Sequence, residues 1–294
     1  MSGLLLVSLA GPASAAPLPS DVRLEQWSLS GVDSWTTGNL GSGYAEGDTV
    51  PFRLDVTAAG NGTFEFTVCR DFQDGTSFGY LFLDPFNTTV SPDLEGATIT
   101  DSLGDFTGAG TGATVDVVSV VDNNVQNGCM PGERATDVQI TISGLAGTDE
   151  AFVLWGGHLA SPLDPGVGAG NGASSFQGSS LHMSLLSPSK DLAANANQIT
   201  PTPTGSLTID KIQVGGTPNT TFFVDIDCTV DTFDALDQPI TDATSIVINN
   251  IPVGTVCTVT EDANPLFSTI VSGSPATIDV DGETVTITNT RLTG

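Results

Sequence analysis

Two histidines and a large excess of aspartate supply most of the residues in this sequence that could bind a metal ion. The chain has 294 residues, of which 34 are acidic and two are histidines, His158 and His182. Together with Asp84 or Asp164 the histidines could form a site of imidazole and carboxylate ligands. The alternative is that each histidine is a hydrogen-bonded residue that holds a loop. We favour this alternative, because the two histidines lack the spacing of zinc motifs.

Clustered aspartates favour calcium over zinc as a bound cation. Hard cations take carboxylate oxygens, and Asp225 and Asp227 alternate along a predicted strand, so they would share one face. The spacings of calcium-binding loops and repeats are not met. An acidic strand edge that discourages pairing with other chains explains the same pattern, and we favour that interpretation. Further clustered carboxylates are Asp71, Asp74, Asp231, Asp234 and Asp237.

A nucleophilic enzyme is not indicated. A Ser-His-Asp triad is conceivable from composition. The letters G-x-S-x-G occur at residues 75–79, but the turn that presents such a serine leads from a strand into a helix, and the composition disfavours helices. Serine and aspartate are also too common here for the pattern to single out one of them. We therefore predict a protein without catalytic turnover and with no cofactor other than the calcium considered above.

The charge balance excludes several classes of partner. Seven basic residues face the 34 acidic ones, and the formal net charge is −27. Binding of nucleic acid needs a basic surface, and docking on an anionic membrane needs one too. Thr, Val, Gly and Asp are abundant whereas Glu, Lys and Leu are scarce, which favours strands joined by turns over helices. The composition suits a soluble protein in salty or calcium-containing surroundings.

The N-terminal residues predict export. Leu4–Ala10 is a short apolar run, and small residues follow up to Ala15 and Ala16, which is the pattern of a cleaved secretory signal over residues 1–16. The basic segment that normally precedes the apolar run is missing, so we expect the natural start to lie upstream. No other run approaches a membrane span. The predicted location is therefore extracellular or at the cell surface, with no membrane insertion of the mature chain.

Four cysteines in an exported chain predict disulfides, and three pairings are possible. The domain organisation makes one of them simplest, in which Cys69 is bonded to Cys129 and Cys228 to Cys257. Residues 187–204 are small and polar and end in Thr-Pro repeats, which predicts a semi-extended linker. This linker would separate a domain at 17–186 from a domain at 205–294.

Both predicted domains read as antiparallel β-sandwiches, so the expected fold class is all-β. Short alternating or apolar runs bounded by turns mark the strands. In the first domain they are Val50–Thr57, Thr63–Val68, Val115–Val121, Val138–Ile142 and Ala151–Trp155. In the second they are Ser206–Ile212, Thr221–Val230, Ser245–Ile248, Thr255–Glu261, Thr269–Val271, Thr277–Val280 and Thr284–Asn289.

The second domain carries a family resemblance in three motifs. Gly-Ser-Leu-Thr-Ile-Asp-Lys opens it at Gly205, Cys-Thr-Val-Thr-Glu lies in its middle at Cys257, and Val-Thr-Ile-Thr-Asn-Thr closes it at Val285. In order and spacing, over about residues 204–291, these resemble the Cna-B-type domains of Gram-positive surface proteins and pilins. The nearest subgroup is actinobacterial, has a cysteine pair and has no known function. The resemblance implies an immunoglobulin-like or prealbumin-like sandwich.

The resemblance also implies an intramolecular crosslink. In several Cna-B-type domains a lysine of the first strand forms an isopeptide bond with an asparagine of the last strand, assisted by a glutamate. The matching residues here are Lys211, Asn289 and Glu261. Burial makes a lysine amine neutral and nucleophilic, and a buried glutamic acid can polarise an amide and move the proton. Alternatives are a plain ion pair of Lys211, or reliance on the cysteine pair alone.

The first domain resembles, over about residues 24–186, a recurring module of large secreted bacterial surface proteins whose role is not established. The resemblance lies in the segments 35–40, 44–53, 154–160 and 181–183. It implies a setting and an architecture but no activity. We therefore predict a structural or adhesive protein of a bacterial envelope, whose partners are an unknown extracellular ligand or neighbouring envelope proteins.

Two alternatives to this prediction stay open. The first domain could bind carbohydrate or be an enzyme, with Trp27, Trp35 and Tyr44 stacking on sugars. Burial of Trp35 and Trp155 would count against that role. The chain could also be a piece of a longer pilin-like or repeat protein, which sequence beyond Gly294 would decide.

Overall fold

A computed structural model describes residues 15–178 and 180–293, and this part of the chain is built from β-strands. Its only helical segments are four single turns of 3₁₀ helix, at Thr57–Ala59, Ala173–Ser175, Ala196–Gln198 and Asp231–Phe233. The predicted signal lies outside the described residues except for Ala15 and Ala16. The all-β class predicted from the scarcity of helix-forming residues is confirmed.

The first sandwich packs two large sheets against each other. One sheet has the order β11-β12-β5-β14-β15, with β1 beside β5. The other has the order β3-β2-β4-β13-β10-β9, with β8 beside β13, and β6 and β7 form a separate hairpin. The strands are β1 Ala16–Pro17, β2 Arg23–Ser28, β3 Ser34–Thr36, β4 Thr49–Asp55, β5 Gly62–Asp71, β6 Gln73–Asp74, β7 Ser77–Phe78, β8 Tyr80–Asp84, β9 Thr98–Leu103, β10 Phe106–Thr111, β11 Thr114–Asp122, β12 Glu133–Ser143, β13 Glu150–Leu159, β14 Ser180–Leu185 and β15 Lys190–Asn195.

Alternation along the strands fills the core between these sheets. The residues predicted to share one face of the strand after Val50, namely Phe52, Leu54 and Val56, are all fully buried in one cluster. Phe66 and Val68 of the facing sheet join them. Burial of apolar side chains on both inner faces is the main source of stability for such a sandwich.

A glycine in β10 lets this strand pass close to β11. The sequence pattern alone does not predict a strand at β10. A Cβ at Gly108 would collide with the main-chain oxygen of Val115, which lies on β11 of the other sheet. The strand Phe106–Thr111 therefore needs a glycine at position 108 for this close packing, although glycine has a low intrinsic preference for strands.

The second sandwich has two four-stranded sheets, ordered β19-β16-β23-β21 and β18-β17-β20-β22. Its first strand pairs in parallel with its last, so that Lys211 lies beside Ile287 and Gln213 beside Asn289. Apart from this pair and the short pairing of β1 with β5, the sheets are antiparallel. The strands are β16 Thr204–Val214, β17 Phe222–Cys228, β18 Ala235–Ile240, β19 Ser245–Pro252, β20 Val256–Glu261, β21 Phe267–Ser272, β22 Ala276–Thr277 and β23 Glu283–Arg291.

The linker predicted over residues 187–204 is wrong for most of its length. Residues 190–195 form β15, which pairs with β14 from Ser180 to Leu185. Leu192 and Ile199 are buried in the core of the first sandwich. Small residues and asparagines are typical of a linker, but alternate apolar positions among them face the core here. The strand predicted at Thr277–Val280 is also wrong beyond Thr277, and β18 has no counterpart in the prediction.

Candidate functional site

Lys211 lies inside the second sandwich. Leu207, Ile209 and Lys211 occupy alternate positions of β16, so all three side chains face the core, and Lys211 is only 5% exposed. Its ammonium nitrogen lies 4.1 Å from the centre of the Phe222 ring. A cation–π contact of this kind stabilises a charged lysine, but it does not replace the water that the group has lost.

Glu261 connects Lys211 to Asn289. The Nζ of Lys211 donates to Oε2 of Glu261 at 2.6 Å, and the Nδ2 of Asn289 donates to Oε1 of the same carboxylate at 2.7 Å. The side chains of Lys211 and Glu261 are both fully buried. Thr269 also donates to Oε1, at 3.2 Å. One carboxylate therefore lies between an amine and an amide, with an oxygen on each.

Asn289 is held by its place in the central strand of its sheet. In β23 it lies between Gln213 of β16 and Thr269 of β21, and it is fully buried. Its Oδ1 is buried without a hydrogen-bond partner. An unpaired buried carbonyl is costly, so the fold holds this amide in place at a cost in stability.

Burial lowers the pKa of the Lys211 amine, and the hydrogen bond and charge of Glu261 oppose that shift. A lower pKa raises the fraction of the neutral amine, which is the form that attacks a carbonyl carbon. The site thus contains a nucleophile, a carboxylate that can carry a proton, and an amide that can lose ammonia.

These groups can form an amide bond by transamidation. The lone pair of the Lys211 amine would attack Cγ of Asn289, the bond from Cγ to Nδ2 would break, and Nδ2 would leave as ammonia. Glu261 touches both nitrogens, so it can accept the proton that the amine loses and deliver it to the leaving nitrogen. No oxidant and no second substrate are needed.

Both disulfides join cysteines of the same sandwich. Cys69 is bonded to Cys129, and Cys228 to Cys257. The second pair links neighbouring positions of β17 and β20, within the same sheet. The pairing within domains that was simplest from the sequence is confirmed.

The structure separates the two histidines. Nε2 of His158 lies 3.0 Å from Asp164, its Nδ1 lies 3.7 Å from Asp84, and its ring stacks on Phe82. His182 is on the other sheet and contacts Asp191 at 2.9 Å. The less favoured interpretation, in which the two histidines bind one metal ion together, is therefore not supported by these contacts. The contact of His158 with Asp164 ties it to the loop after β13.

Asp225 and Asp227 lie on β17, and Oδ1 of Asp225 accepts a hydrogen bond from the main chain of Asp237. Within residues 15–178 and 180–293, the one group of three His, Cys, Asp or Glu residues with mutually close ligand atoms is Cys69, Cys129 and Glu133, and it contains a disulfide. Calcium at Asp225 and Asp227 thus remains a prediction, without a third carboxylate close to the pair.

Sequence reasoning missed a buried cation on the outer side of the first sandwich. Arg53 is 4% exposed, its guanidinium lies between the rings of Trp35 and Phe152, and it pairs with Glu25 at 2.7 Å and Glu95 at 2.6 Å. The alternation that placed Phe52 and Leu54 in the core also places Arg53 on the opposite face. The alternation thus predicts which face of the sheet Arg53 is on. It does not predict that Trp35, Phe152 and Glu25 bury Arg53 on that face.

One family model matches the part of the chain that contains the second sandwich. The model of the family "Domain of unknown function (DUF5979)" matches residues 199–292. No curated protein matches the chain. Within the described residues no helix has the length and apolarity that a membrane crossing requires.

Solved structures that resemble the chain include adhesins and a pilin, at low identity. An adhesin from Mobiluncus mulieris with intramolecular disulfide, isopeptide and ester cross-links is 12% identical over 92% of this chain and 99% of that one, with a TM-score of 0.29. BcpA, the major pilin subunit of Bacillus cereus, is 12% identical over 92% of this chain and 71% of that one, with a TM-score of 0.33. A pilus-presented adhesin, Cpa, is 14% identical over 38% of this chain, with a TM-score of 0.26, and the match spans only 36% of its length.

Proposed function

We propose that this protein is an exported structural or adhesive protein of a bacterial surface, and that its second sandwich is a spacer closed by an isopeptide bond between Lys211 and Asn289. The observation that supports this most strongly is the fully buried Lys211–Glu261 contact with Asn289 on the second oxygen of the same carboxylate. A buried ion pair costs several kcal/mol to desolvate and is poor as a source of stability. If the amine instead reacts to form an amide bond, the buried charges are removed and a covalent link takes their place.

The position of the bond suits a mechanical role. A pulling force would enter the domain at β16 and leave it at β23, and these two strands are paired in parallel. An amide between Lys211 and Asn289 would pass the load from residues 204–211 directly to residues 289–291. The strands between positions 212 and 288 would then bear none of it.

Intact mass of the disulfide-reduced protein tests this function. We expect the wild-type chain to lack the mass of one ammonia molecule relative to its sequence, because Nδ2 of Asn289 leaves. The variants Lys211→Ala and Glu261→Ala should show the full mass, the first for lack of a nucleophile and the second for lack of a proton carrier. Lys190→Ala, which removes the other lysine, should still lose ammonia. Full mass in the wild-type chain would reject the crosslink.

Carbohydrate binding through aromatic side chains is not favoured. Trp27, Tyr44 and Trp155 are buried, at 6%, 1% and 0% exposure. Trp35 is half-buried and stacks on Arg53, and its indole nitrogen donates to the main chain of Asp93. Stacking on a sugar needs an exposed ring face, so these four residues are better explained as structural.

A further inference from the structure

The crosslink site is divided between the two sheets of the second sandwich. β16 and β23 of one sheet carry Lys211 and Asn289, whereas β17 and β20 of the other carry Phe222 and Glu261. Nζ of Lys211 reaches across the core to both residues of the facing sheet, at 4.1 Å from the centre of the Phe222 ring and 2.6 Å from Oε2 of Glu261. Proton transfer by Glu261 therefore depends on how β17 and β20 lie against the first sheet.

The disulfide of Cys228 and Cys257 joins the two strands that supply this half of the site. The two cysteines lie directly opposite each other in the pairing of β17 with β20. From Cys257 to Glu261 the strand rises by about 13 Å, so the disulfide does not touch the reacting groups. Any effect of the disulfide on the site is therefore transmitted through the pairing of the two strands.

The register of this pairing decides whether Glu261 faces the reacting groups. Cys257 and Val259 are buried, the side chain of Glu261 is fully buried, and the three alternate along β20, so all of them face the core. A slip of one residue between β17 and β20 would turn Glu261 to the outer face. A slip of two residues would move its carboxylate by about 7 Å along the strand, out of hydrogen-bond reach of Lys211 and Asn289.

Strand pairing outside the disulfide fixes this register weakly. Among the described residues, β22 pairs only with the first two residues of β20, so β17 is the strand that pairs with the end that carries Glu261. On its other side β17 pairs with β18 through a register shift between Val224 and Ile226. On the free edge of β20 the Ser274 hydroxyl bonds the main chain of Val259, which is a single side-chain contact.

Side chains and charges between the two strands do not select one register either. The inward side chains Val224, Ile226 and Val259 are branched and apolar, and such residues pack in similar ways after a shift of two positions. None of the nine ion pairs among the described residues joins β17 to β20. The disulfide is the contact that forms in one register alone, because it requires Cys228 opposite Cys257.

We propose that the Cys228–Cys257 disulfide is a positioning group for the crosslink, and that its formation precedes the fast reaction of Lys211 with Asn289. The inference rests on the crosslink of the proposed function and gives that site its regulation. A misplacement of about 1 Å can slow a reaction about 100-fold, so we expect crosslinking to be at least tenfold slower without the disulfide. The reacting groups themselves remain, so the slower reaction still reaches completion on long incubation.

The two steps need one oxidant and no other reactant. The two thiols lose two electrons and two protons to a small disulfide such as glutathione disulfide, which becomes two thiols. Crosslinking then joins Nζ of Lys211 to Cγ of Asn289 and releases Nδ2 as ammonia. Disulfides form outside the reducing cytoplasm. An exported chain would therefore stay linear until it is outside, and residues 211–289 would close into a loop only afterwards.

The test is the rate at which newly made protein loses ammonia. The full chain is synthesised in a cell-free system with dithiothreitol and is then either kept reduced or transferred to glutathione disulfide. Samples are quenched in acid, reduced and measured by intact mass. We expect the mass of one ammonia molecule to be lost at least tenfold faster in the oxidised sample, and equal rates would overturn the proposal. Absence of any loss in the oxidised sample would instead reject the crosslink itself.

The other disulfide of the chain supplies the matched control. Cys69→Ala with Cys129→Ala also removes a buried disulfide, but from the first sandwich, so this variant should lose ammonia at the wild-type rate in the oxidised sample. Cys228→Val with Cys257→Val should lose it at least tenfold more slowly, with or without oxidant. Equal rates in the two double variants would contradict positioning through β17 and β20.

Valine separates a loss of position from a loss of folding. It fills a space close to that of cysteine and favours strands, so NMR should show the second sandwich of this variant to be folded. If folding is incomplete, the rates are measured in trimethylamine N-oxide, which favours the folded state. A rate that stays at least tenfold lower in the folded variant supports the proposal. A rate that returns to the oxidised wild-type value together with the fold would overturn it.

A displaced disulfide tests the register directly. Ile226 lies opposite Val259, two positions from the cysteines, and pairs two positions apart are of the same geometric kind. Ile226→Cys with Val259→Cys, added to the valine variant, should therefore form a disulfide in the same register and restore fast loss of ammonia on oxidation. If thiol counting shows that this disulfide has formed and the reaction stays slow, the native disulfide does not act by fixing the register.

Discussion

The two sandwiches place their buried cations in contrasting surroundings. In the first, Arg53 and Arg70 are buried, but each has a carboxylate partner, Glu95 or Asp122, that is about half exposed to water. In the second, the side chains of Lys211 and Glu261 are both fully buried. Water can screen and relax the first kind of pair but not the second. A fully dry lysine pair is thus poor as a stabilising contact and well suited to reaction.

The two sandwiches also differ in the size of their hydrophobic cores. The main cluster of buried apolar residues has 33 members in the first sandwich and 15 in the second, counted over the described residues. A small domain buries less of its surface and gains more from a covalent link. We therefore expect covalent bonds to decide the stability of the second sandwich more than that of the first.

Replacing Lys211 should have the largest effect. Lys211→Ala removes the crosslink and leaves Glu261 buried without a cation, so the free energy of unfolding of the second sandwich should fall by about 5 kcal/mol or more. Calorimetry with hydrogen exchange of β23 would measure this. The double variant Lys211→Met with Glu261→Leu serves as a control. It should also destabilise if the native link is covalent, whereas a neutral or stabilising result would show that only an ion pair had been lost.

The disulfides should differ in their contribution. Cys69→Ala with Cys129→Ala opens a loop of 60 residues, which corresponds to about 4 kcal/mol of unfolding free energy in the chain-entropy model. Cys228 and Cys257 are 29 residues apart and lie inside the segment from Lys211 to Asn289. Because a crosslinked chain is already restricted when unfolded, their removal should cost clearly less. Equal losses in denaturant titrations of the two double variants would argue against the crosslink.

Replacing Asp71 should change the free energy of unfolding by a smaller amount, and it should stabilise the protein where the preceding variants destabilise it. Burial raises the pKa of Asp71 to about 6, above the value of about 3.9 for an unfolded carboxyl. The stability that the protonated side chain gives is complete below about pH 4 and is lost as the pH rises through about 6. Asp71→Asn should therefore stabilise the first sandwich at pH 7 by about 1 kcal/mol, after allowance for its partial exposure. A thermal melt at pH 4 should show no such gain, and a gain at both pH values would assign the effect to packing.

The exposed partner of Arg53 should contribute least. Glu95 is 53% exposed, so Glu95→Gln should cost about 0.5 kcal/mol in the unfolding free energy, because Glu25 still holds the guanidinium. The loss should shrink in high salt. A loss of several kcal/mol, unchanged by salt, would show that the first sandwich depends on its ion pairs in the way we assign only to the second.

Strand alternation made much of the crosslink site predictable. Leu207, Ile209 and Lys211 share one parity, and Cys257 with Glu261 and Ile287 with Asn289 do the same on their own strands. The pattern alone therefore places three polar side chains on inward faces. Alternation does not say which strands are neighbours. That Lys211, Glu261 and Asn289 lie close together was implied by the family resemblance alone.

Other features depended on contacts between distant parts of the chain. Asp71 and Glu133 come together through strand pairing across 62 residues, and His182 joins them from a third strand. The strand at Lys190–Asn195 resembles a linker in the sequence, because its small residues carry a weak strand signal until the first sandwich buries Leu192 and Ala194. In both cases tertiary packing outweighs local preference.

The most direct test of the covalent link is digestion of the reduced protein with a protease that cleaves before aspartate. The peptides that contain Lys211 and Asn289 would be 210–224 and 281–294. We predict that they are recovered joined, with the combined mass less one ammonia, and that fragmentation places the bond between Lys211 and Asn289. Recovery of the two peptides as separate species of full mass would contradict the account.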